Sequence, residues 1–529
     1  MKRLRIIFWS FVGAIVVAAV AVMLSQVWSR TTSPRPLSVP PGDQEVAWFH
    51  TATNAPTWER FVTGAHRAAR QDPRLQIDDS RAFLDRTTSA PELVLSRSGS
   101  SQKLRIRWYK QSSQMKVEDW VQALERRDPA PLAILGGGSS DRALELARIL
   151  AAHHEWRGSP PLLLITTATA NSVYVESGDM EARRDLMKVY PNRTFRFCFT
   201  NRQMAHAVLD FVWRTPELRP RGHPAPLLGA IGLAASGDPL GCASLAVQAE
   251  APPEVFALVW QDDPYSVDLS EQFRGAFYQS DGHSPWTVNG PSPPQLLPIS
   301  SSVGGFLRPN ESEANAIEQL LEPPIMLRPL PRNGIQRSLL ILPAVAAPAR
   351  RVLAGLAGAD PAMTQSLVAV SGDSISFANV YRDADLLWNI RLVPIPLVFF
   401  THQNPVAWDA DEAPARDDRD PFALYPPNGT DDVLHFADVV RRLCDAAWGS
   451  GAGTASLKTK SDELAEALRQ SDAPFFDADG NRLGGSGESI VYLRPHQTES
   501  GVRGATLEIW THHDDSGWKF IKRLPVRYR

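Results

Sequence analysis

Cysteine is almost missing from this chain: three occur in 529 residues, Cys198, Cys242 and Cys444. None forms a CxxC pair, and an odd number argues against a disulfide framework. Cys198 falls inside the apolar run FRFCF and reads as a buried small hydrophobe, not a nucleophile. Charge of one sign is missing too. With 55 Lys+Arg against 58 Asp+Glu and no long basic block beyond the N-terminus, a nucleic-acid partner has no electrostatic support. No G-x-S-x-G elbow occurs, since Gly484-Gly485-Ser486-Gly487 continues into Glu488. The turn Gly136-Gly137-Gly138-Ser139-Ser140 lacks the lysine of a phosphate-binding loop. His153-His154 and His512-His513 are adjacent pairs, whose side chains diverge on a helix or a strand and suit a metal poorly. Asp477-Ala478-Asp479-Gly480 opens like a calcium loop but lacks the distal glutamate, and reads as a hairpin turn. These absences point away from an enzyme and imply no cofactor and no metal.

What is present is an exported, multi-lobed chain. Its length exceeds one ordinary domain, and 43% hydrophobic with 21% charged residues suits a globular protein with a real core. Lys2, Arg3 and Arg5 precede an uncharged run over residues 6–28, about the length a bilayer core requires of a helix. Basic residues stay cytoplasmic, so the rest of the chain is expected on the extracytoplasmic, periplasmic face. A cleaved signal peptide is the rival reading, because Ala19-Val20-Ala21 resembles a cleavage site. Apolar residues continue to Val27, which favours an uncleaved anchor or signal-anchor over residues 1–30, and no nearby cysteine offers a lipoprotein anchor. Residues 31–43 are rich in proline and read as a stiff linker.

Beyond residue 44 short apolar runs alternate with amphipathic stretches. The clearest unit is Pro131 to Leu135, the GGGSS turn, and a helix to about His153 on which Ala143, Leu146, Ala147 and Leu150 share a face. The fully apolar run 161–165 follows, and strand–turn–helix–strand of this spacing is a βαβ unit. The alternation restarts with expected strands at 226–233, 254–260, 338–342, 366–370 and 397–400, and a long helix spans 430–448. The tail alternates like antiparallel strands. Segments 279–335 and 408–430 are polar and proline-rich and read as loops. Two runs of βαβ units predict an α/β fold of two doubly wound parallel-sheet lobes.

The order of these elements resembles the type I periplasmic-binding-protein family, especially its branched-chain amino-acid-binding group, over nearly all of residues 44–529. The GGGSS turn resembles the family's first-lobe ligand turn. Leu163 to Ala170 resembles the strand that supplies the next ligand contact, and Phe195-Arg196-Phe197 its "FR" strand. Val259 to Tyr265 resembles the second-lobe strand that ends in an acidic turn and a tyrosine. The resemblance implies three crossings between lobes: lobe 1 from 44–205 plus 376–450, lobe 2 from 206–375 plus 451–529. It also implies a small-molecule ligand and a membrane permease or sensor as partner.

The candidate ligand residues follow. Ser139 and Ser140 stand where a strand ends and a helix begins, where free N–H groups and the helix dipole favour an anion; a plain helix cap is the structural alternative. Thr167 and Thr169 end the next strand, on the edge where open α/β sheets bind ligands. Tyr265 resembles the family tyrosine that faces the ligand. Asp373 follows another buried strand and resembles the acidic residue that pairs with an amino group; an ordinary turn aspartate is the alternative. Two positions depart from the family, Ser266 for a glycine and Pro343-Ala344 for an aromatic before a glycine, which puts the amino-acid ligand in question. The expected activity is capture of a small, amino-acid-like solute between lobes for ABC-type transport or sensing. The alternative is an exported structural or regulatory protein that reuses the fold without a small ligand.

Overall fold

The computed structural model describes residues 34–222, 253–278, 294–321, 337–380, 393–406, 431–449, 456–470, 489–498, 501–513 and 517–526, with short gaps inside the first, third and fourth spans, and a few positions between 15 and 23. The apolar run 6–28 lies almost wholly outside them. Ile15, Val17, Val20 and Met23 are helical and exposed. Among the described residues no helix is long and apolar enough to cross a membrane. The strand expected at 226–233 and the hairpin turn at Asp477 to Asn481 also lie outside them.

Lobe 1 is built on a seven-stranded sheet. Its parallel centre comprises β1 (Gln44–Thr51), β4 (Lys103–Gln111), β5 (Ala133–Gly136), β6 (Leu162–Ile165) and β9 (Thr194–Arg196). Strands β2 (Leu75–Arg81) and β3 (Glu92–Arg97) add an antiparallel edge beside β4, giving the order β2-β3-β4-β1-β5-β6-β9. Its core strands are buried on both faces and read as unbroken apolar runs, as parallel sheets require. Helix α1 (Ala55–Gln71) has Pro56 in its first turn and buries Trp58, Phe61, Val62 and Ala65 along one stripe. Helices α2 (Val117–Glu125) and α3 (Ser140–Ala152) cover the opposite face, and α3 buries Ala143, Leu146, Ala147 and Leu150 as its spacing predicts.

Lobe 2 carries eight strands. The parallel set is β10 (Val255–Trp260), β11 (Gln295–Ile299), β12 (Ser338–Leu342), β13 (Leu367–Ser371) and β14 (Leu397–Thr401). Three antiparallel strands extend it: β15 (Ser489–Thr498), β16 (Gly501–His513) and β17 (Gly517–Val526). Both sheets are therefore mixed, not wholly parallel as expected. Helices α4 (Asn201–Arg214) and α5 (Pro264–Tyr278) pack on one face, α6 (Glu311–Leu321) and α7 (Ala346–Ala357) on the other.

The expected division of the chain differs at two places. β14, expected in lobe 1, pairs in the second sheet, where β13 offers it a free parallel edge; its five buried residues suit a sheet covered on both sides. Helix α8 (Asp431–Trp448) does pack on lobe 1, and α9 (Ser461–Gln470), expected in lobe 2, joins it there through Leu464, Ala465 and Leu468. The chain therefore crosses near residue 200, between 402 and 431, and between 470 and 489.

The expectation of an unbroken loop over 279–335 is corrected as well. Leu297 and Ile299 of β11 are buried, and Ala316, Ile317 and Leu320 of α6 recur at helical spacing. Asn310 caps α6: its Oδ1 accepts the Glu313 N–H at 2.8 Å, and Glu313 Oε2 accepts the Asn310 N–H at 3.0 Å. Glu313 is fully buried and also receives Arg351 Nη2 at 2.6 Å and Trp260 Nε1 at 3.1 Å.

The proline-rich linker is docked over its second half. Arg107 and Arg127 both donate to the Leu37 carbonyl, at 3.0 and 2.8 Å, and Arg107 also reaches the Ser38 carbonyl at 3.0 Å. Both guanidiniums rest on Glu45, at 2.6 and 2.9 Å.

Removing one partner of a buried pair strands the other charge. Glu313→Ala is expected to destabilise the protein by about 3–5 kcal/mol, read as a lower urea midpoint. A midpoint equal to the parent's would show that α6 is not anchored by this carboxylate.

Candidate functional site

Strand ends converge where the lobes meet. In lobe 1, β5 runs into Gly137, whose φ of +68° suits glycine, and then into Ser139. Ser139 stands at the N-cap of α3 with extended backbone, and its hydroxyl makes no capping hydrogen bond. The plain-cap alternative therefore does not account for that side chain. Ser140 is buried, and its Oγ accepts the Ala170 N–H at 3.4 Å. Thr167 is half-buried and donates to the Gly138 carbonyl at 3.1 Å. Thr169 is 1% exposed, and its Oγ1 has no hydrogen-bond partner. These four residues form one neighbourhood along the ends of β5 and β6.

Lobe 2 brings Tyr265 and Asp373 together. The Tyr265 O–H donates to Asp373 Oδ1 at 2.8 Å. His402 Nε2, at the end of β14, lies 2.9 Å from Asp373 Oδ2 and donates to it. Both carboxylate oxygens are thus engaged from within the lobe. Gly372 permits this: a Cβ there would stand 2.1 Å from the Tyr265 hydroxyl. Burial, then the Asp373 charge, raises the Tyr265 pKa and keeps the phenol a donor.

The two groups face each other. Asp263, two residues before Tyr265, has its pKa raised from 3.8 to about 6, first by burial and also by the charge of Asp141 beside Ser140. Its Oδ1 accepts the Tyr265 N–H at 3.0 Å, while Oδ2 is buried without a hydrogen-bond partner. The Asp263 carboxyl, with one buried oxygen lacking a hydrogen-bond partner, lies close enough to the first turn of α3 to feel the charge of Asp141. Helices α3 and α5 touch across the lobes.

Two further ties span the lobes. The His402 ring lies 4.8 Å from that of His435 on α8, and His435 Nε2 donates to the Thr166 carbonyl at 3.0 Å. Burial, then the charge of His402, holds His435 well below its ordinary pKa and so neutral. Asp268 on α5, 2% exposed, accepts the N–H groups of Asn171 and Ser172 at 2.9 and 3.0 Å, the Ser172 hydroxyl at 2.8 Å and Asn201 Nδ2 at 2.9 Å. The hairpin of β7 (Ser172–Ser177) and β8 (Met180–Asp185) adds Arg183, which pairs with Glu271 and reaches Asp268 at 3.4 Å.

Sequence reading missed His402, His435, Asp263 and Asp268. His402 follows the strand expected at 397–400, and a histidine at a strand end is its one chemical signal. Asp263 belongs to the acidic turn that the resemblance singled out. Nothing in spacing marks Asp268 or His435, whose partners lie 67 to 97 and 269 residues away. Among the described residues no group of three or more His, Cys, Asp or Glu could hold a metal ion.

No protein-family model matches the sequence, and no curated protein matches it. Solved structures do. One is a solute-binding protein of an ABC transporter from Rhodopseudomonas palustris HaA2 in complex with p-hydroxybenzoic acid, 9% identical over 92% of this chain and 98% of that one, TM-score 0.49. A second is the leucine-binding protein LivK of Thermotoga maritima, 12% identical over 91% and 98%, TM-score 0.45. A third is an ABC-transporter substrate-binding protein of Desulfitobacterium hafniense, 12% identical over 90% and 100%, TM-score 0.42. These structure neighbours are type I periplasmic binding proteins, the group that the order of elements resembled.

The shifted carboxyl gives a pH prediction. Asp263 holds its proton up to about pH 6 in the folded state but only to about 3.8 unfolded. Its stabilising contribution is complete below pH 3.8 and fades as pH rises through 6. Asp263→Asn is expected to remove that fade, so urea midpoints of parent and variant diverge between pH 4 and 7, the parent losing ground. Parallel curves would mean the carboxyl is not strained by its surroundings.

Proposed function

We propose that this chain is an extracytoplasmic solute-binding protein that captures a small, amino-acid-like solute between its two lobes. The observation that carries this reading is the pairing of unlike ends across the crevice. One wall offers the start of α3 with the uncommitted Ser139 hydroxyl; the other offers Asp263 with a buried, partnerless oxygen. A carboxylate suits the first and an ammonium the second. An ammonium also offsets the burial, and then the repulsion from Asp141, that raise the Asp263 pKa. In this reading Ser139, Ser140, Thr167 and Thr169 line the anionic end. Tyr265 and Asp373 shape the opposite wall, with Asp263 in the ammonium-pairing role that the resemblance gave to Asp373.

The apolar run 6–28 with its leading basic residues supports a membrane anchor that keeps the lobes on the outer side, near a permease or sensor partner. The names of the structure neighbours support solute capture for an ABC transporter. No chemistry on a substrate enters the proposal.

A second reading has an observation of its own. Asp268, and the His402–His435–Thr166 contacts, join the lobes through groups of the protein alone. An exported regulatory protein that needs no small ligand would be built this way.

Thermal melting of the purified full chain against amino acids, sugars and carboxylates separates the two. A solute at a hundred times its Kd stabilises by about 2.7 kcal/mol and raises the melting temperature. Asp263→Asn and Ser139→Ala are expected to lose that rise while keeping the parent's far-UV spectrum. Affinity is expected to weaken about tenfold per pH unit below 6, as Asp263 takes up its proton. A panel without any shift would leave the ligand-free reading standing.

A further inference from the structure

Away from the crevice, lobe 2 gathers arginines where its parallel strands begin. Arg337 immediately precedes β12, and Arg221 follows the turn after α4. The two form an isolated antiparallel bridge, each donating its N–H to the other's carbonyl, at 2.9 and 3.0 Å. Residues bridged in this way are directly opposite, with Cα atoms about 5.5 Å apart and side chains on the same face. Like charges so placed destabilise the pairing. Burial, and then the charge of Arg221, accordingly lowers the Arg337 pKa.

The carboxylates of this neighbourhood are already matched to other arginines. Asp210 pairs with Arg214 at 2.8 Å, Glu217 with Arg494 at 2.5 Å, and Glu508 with Arg523 at 2.8 Å. Among the described residues no ion pair engages Arg219, Arg221 or Arg337. Two of these three guanidiniums are nevertheless held in place. Arg337 Nη1 donates to the Pro216 and Arg219 carbonyls at 3.0 and 3.1 Å. Arg219 Nε donates to the Trp213 carbonyl at 2.7 Å, with the guanidinium 5.2 Å from the Trp213 ring centroid. Side chains already ordered by the backbone give up less freedom when an anion arrives. The bonds from Arg337 use one nitrogen of the fork and leave Nε and Nη2 for a further acceptor.

We propose that Arg221 and Arg337, with Arg219 beside them, form a surface site for a phosphoryl dianion, as inorganic phosphate or as the phosphate of an ester. A group with two charges and several oxygens satisfies two forked guanidiniums at once and cancels their repulsion. The site is distinct from the crevice: Asp373 follows the end of β13, whereas Arg337 stands at the start of its parallel neighbour β12. It does not depend on the solute-binding reading.

The test is melting of the full chain with inorganic phosphate, glycerol phosphate or acetate, at one low ionic strength because salt screens exposed charges. Both phosphates are expected to raise the melting temperature and acetate to leave it unchanged. A larger rise with inorganic phosphate marks the free ion as the ligand, and a larger rise with glycerol phosphate marks an ester. Arg221 is exposed, so its replacement leaves the core intact. Arg221→Ala is expected to weaken phosphate about tenfold, the loss of one charge-assisted hydrogen bond. Arg221→Glu supplies a carboxylate opposite Arg337; it is expected to raise the melting temperature without phosphate and to abolish the response to it. Equal shifts with phosphate and acetate, or a phosphate shift that survives both substitutions, would overturn the site. So would an Arg221→Glu protein that melts below the parent without phosphate. None of these outcomes bears on what the crevice binds.

Discussion

Asp268 sits on lobe 2, is almost wholly out of water, and takes its hydrogen bonds from both lobes. Burying a carboxylate without partners is prohibitive, so its position is dictated by where enough donors can be gathered. Asn171 and Ser172 come from the loop after β6, whose neighbours Ala170 and Val173 belong to the lobe 1 core. Asn201 opens α4, whose apolar face belongs to the lobe 2 core. Satisfying this one group holds the loop after β6 and the start of α4 against α5. The histidine pair beside Asp373 adds a second, weaker tie on the side where β14 ends. The nearness of Asp141 to Asp263 and the contact of α3 with α5 lie on the same side as this tie.

Local pattern carried most of the fold. The βαβ unit around the GGGSS turn, the helix at 430–448 and the antiparallel tail were all legible, because each is a short-range match between hydrophobic period and element. Long-range choices were not. Nothing in the run LVFFT says which of two sheets it enters; that depends on which neighbouring strand offers a free edge. The segment 279–335 was misread for a different reason. Its proline and polar residues dominate the average, while α6 depends on three apolar side chains and a cap built by Asn310 and Glu313.

The candidate site was legible in part. Position at a strand end singled out Ser139, Ser140, Thr167, Thr169 and Asp373, and the family resemblance Tyr265; the structure gathers them into two neighbourhoods, one per lobe. Pairing was not legible. That Asp373 spends both oxygens on Tyr265 and His402, while Asp263 keeps one unspent, depends on contacts more than a hundred residues apart for the tyrosine. A single sequence carries residue types at strand ends well, and carries the saturation of those residues hardly at all.

The docking of Leu37 and Ser38 onto Arg107 and Arg127 changes what the proline-rich segment can do. A free spacer of that composition would let the lobes stand off and swivel. Clamped at residue 37, it leaves about eight residues between the apolar run and the body, a reach of at most roughly 30 Å. The docked segment lies at the end of lobe 1 where β1 begins, beside Glu45. The strand tips, where Ser139, Thr167 and Tyr265 stand, lie at the opposite end of the strands from that docked segment.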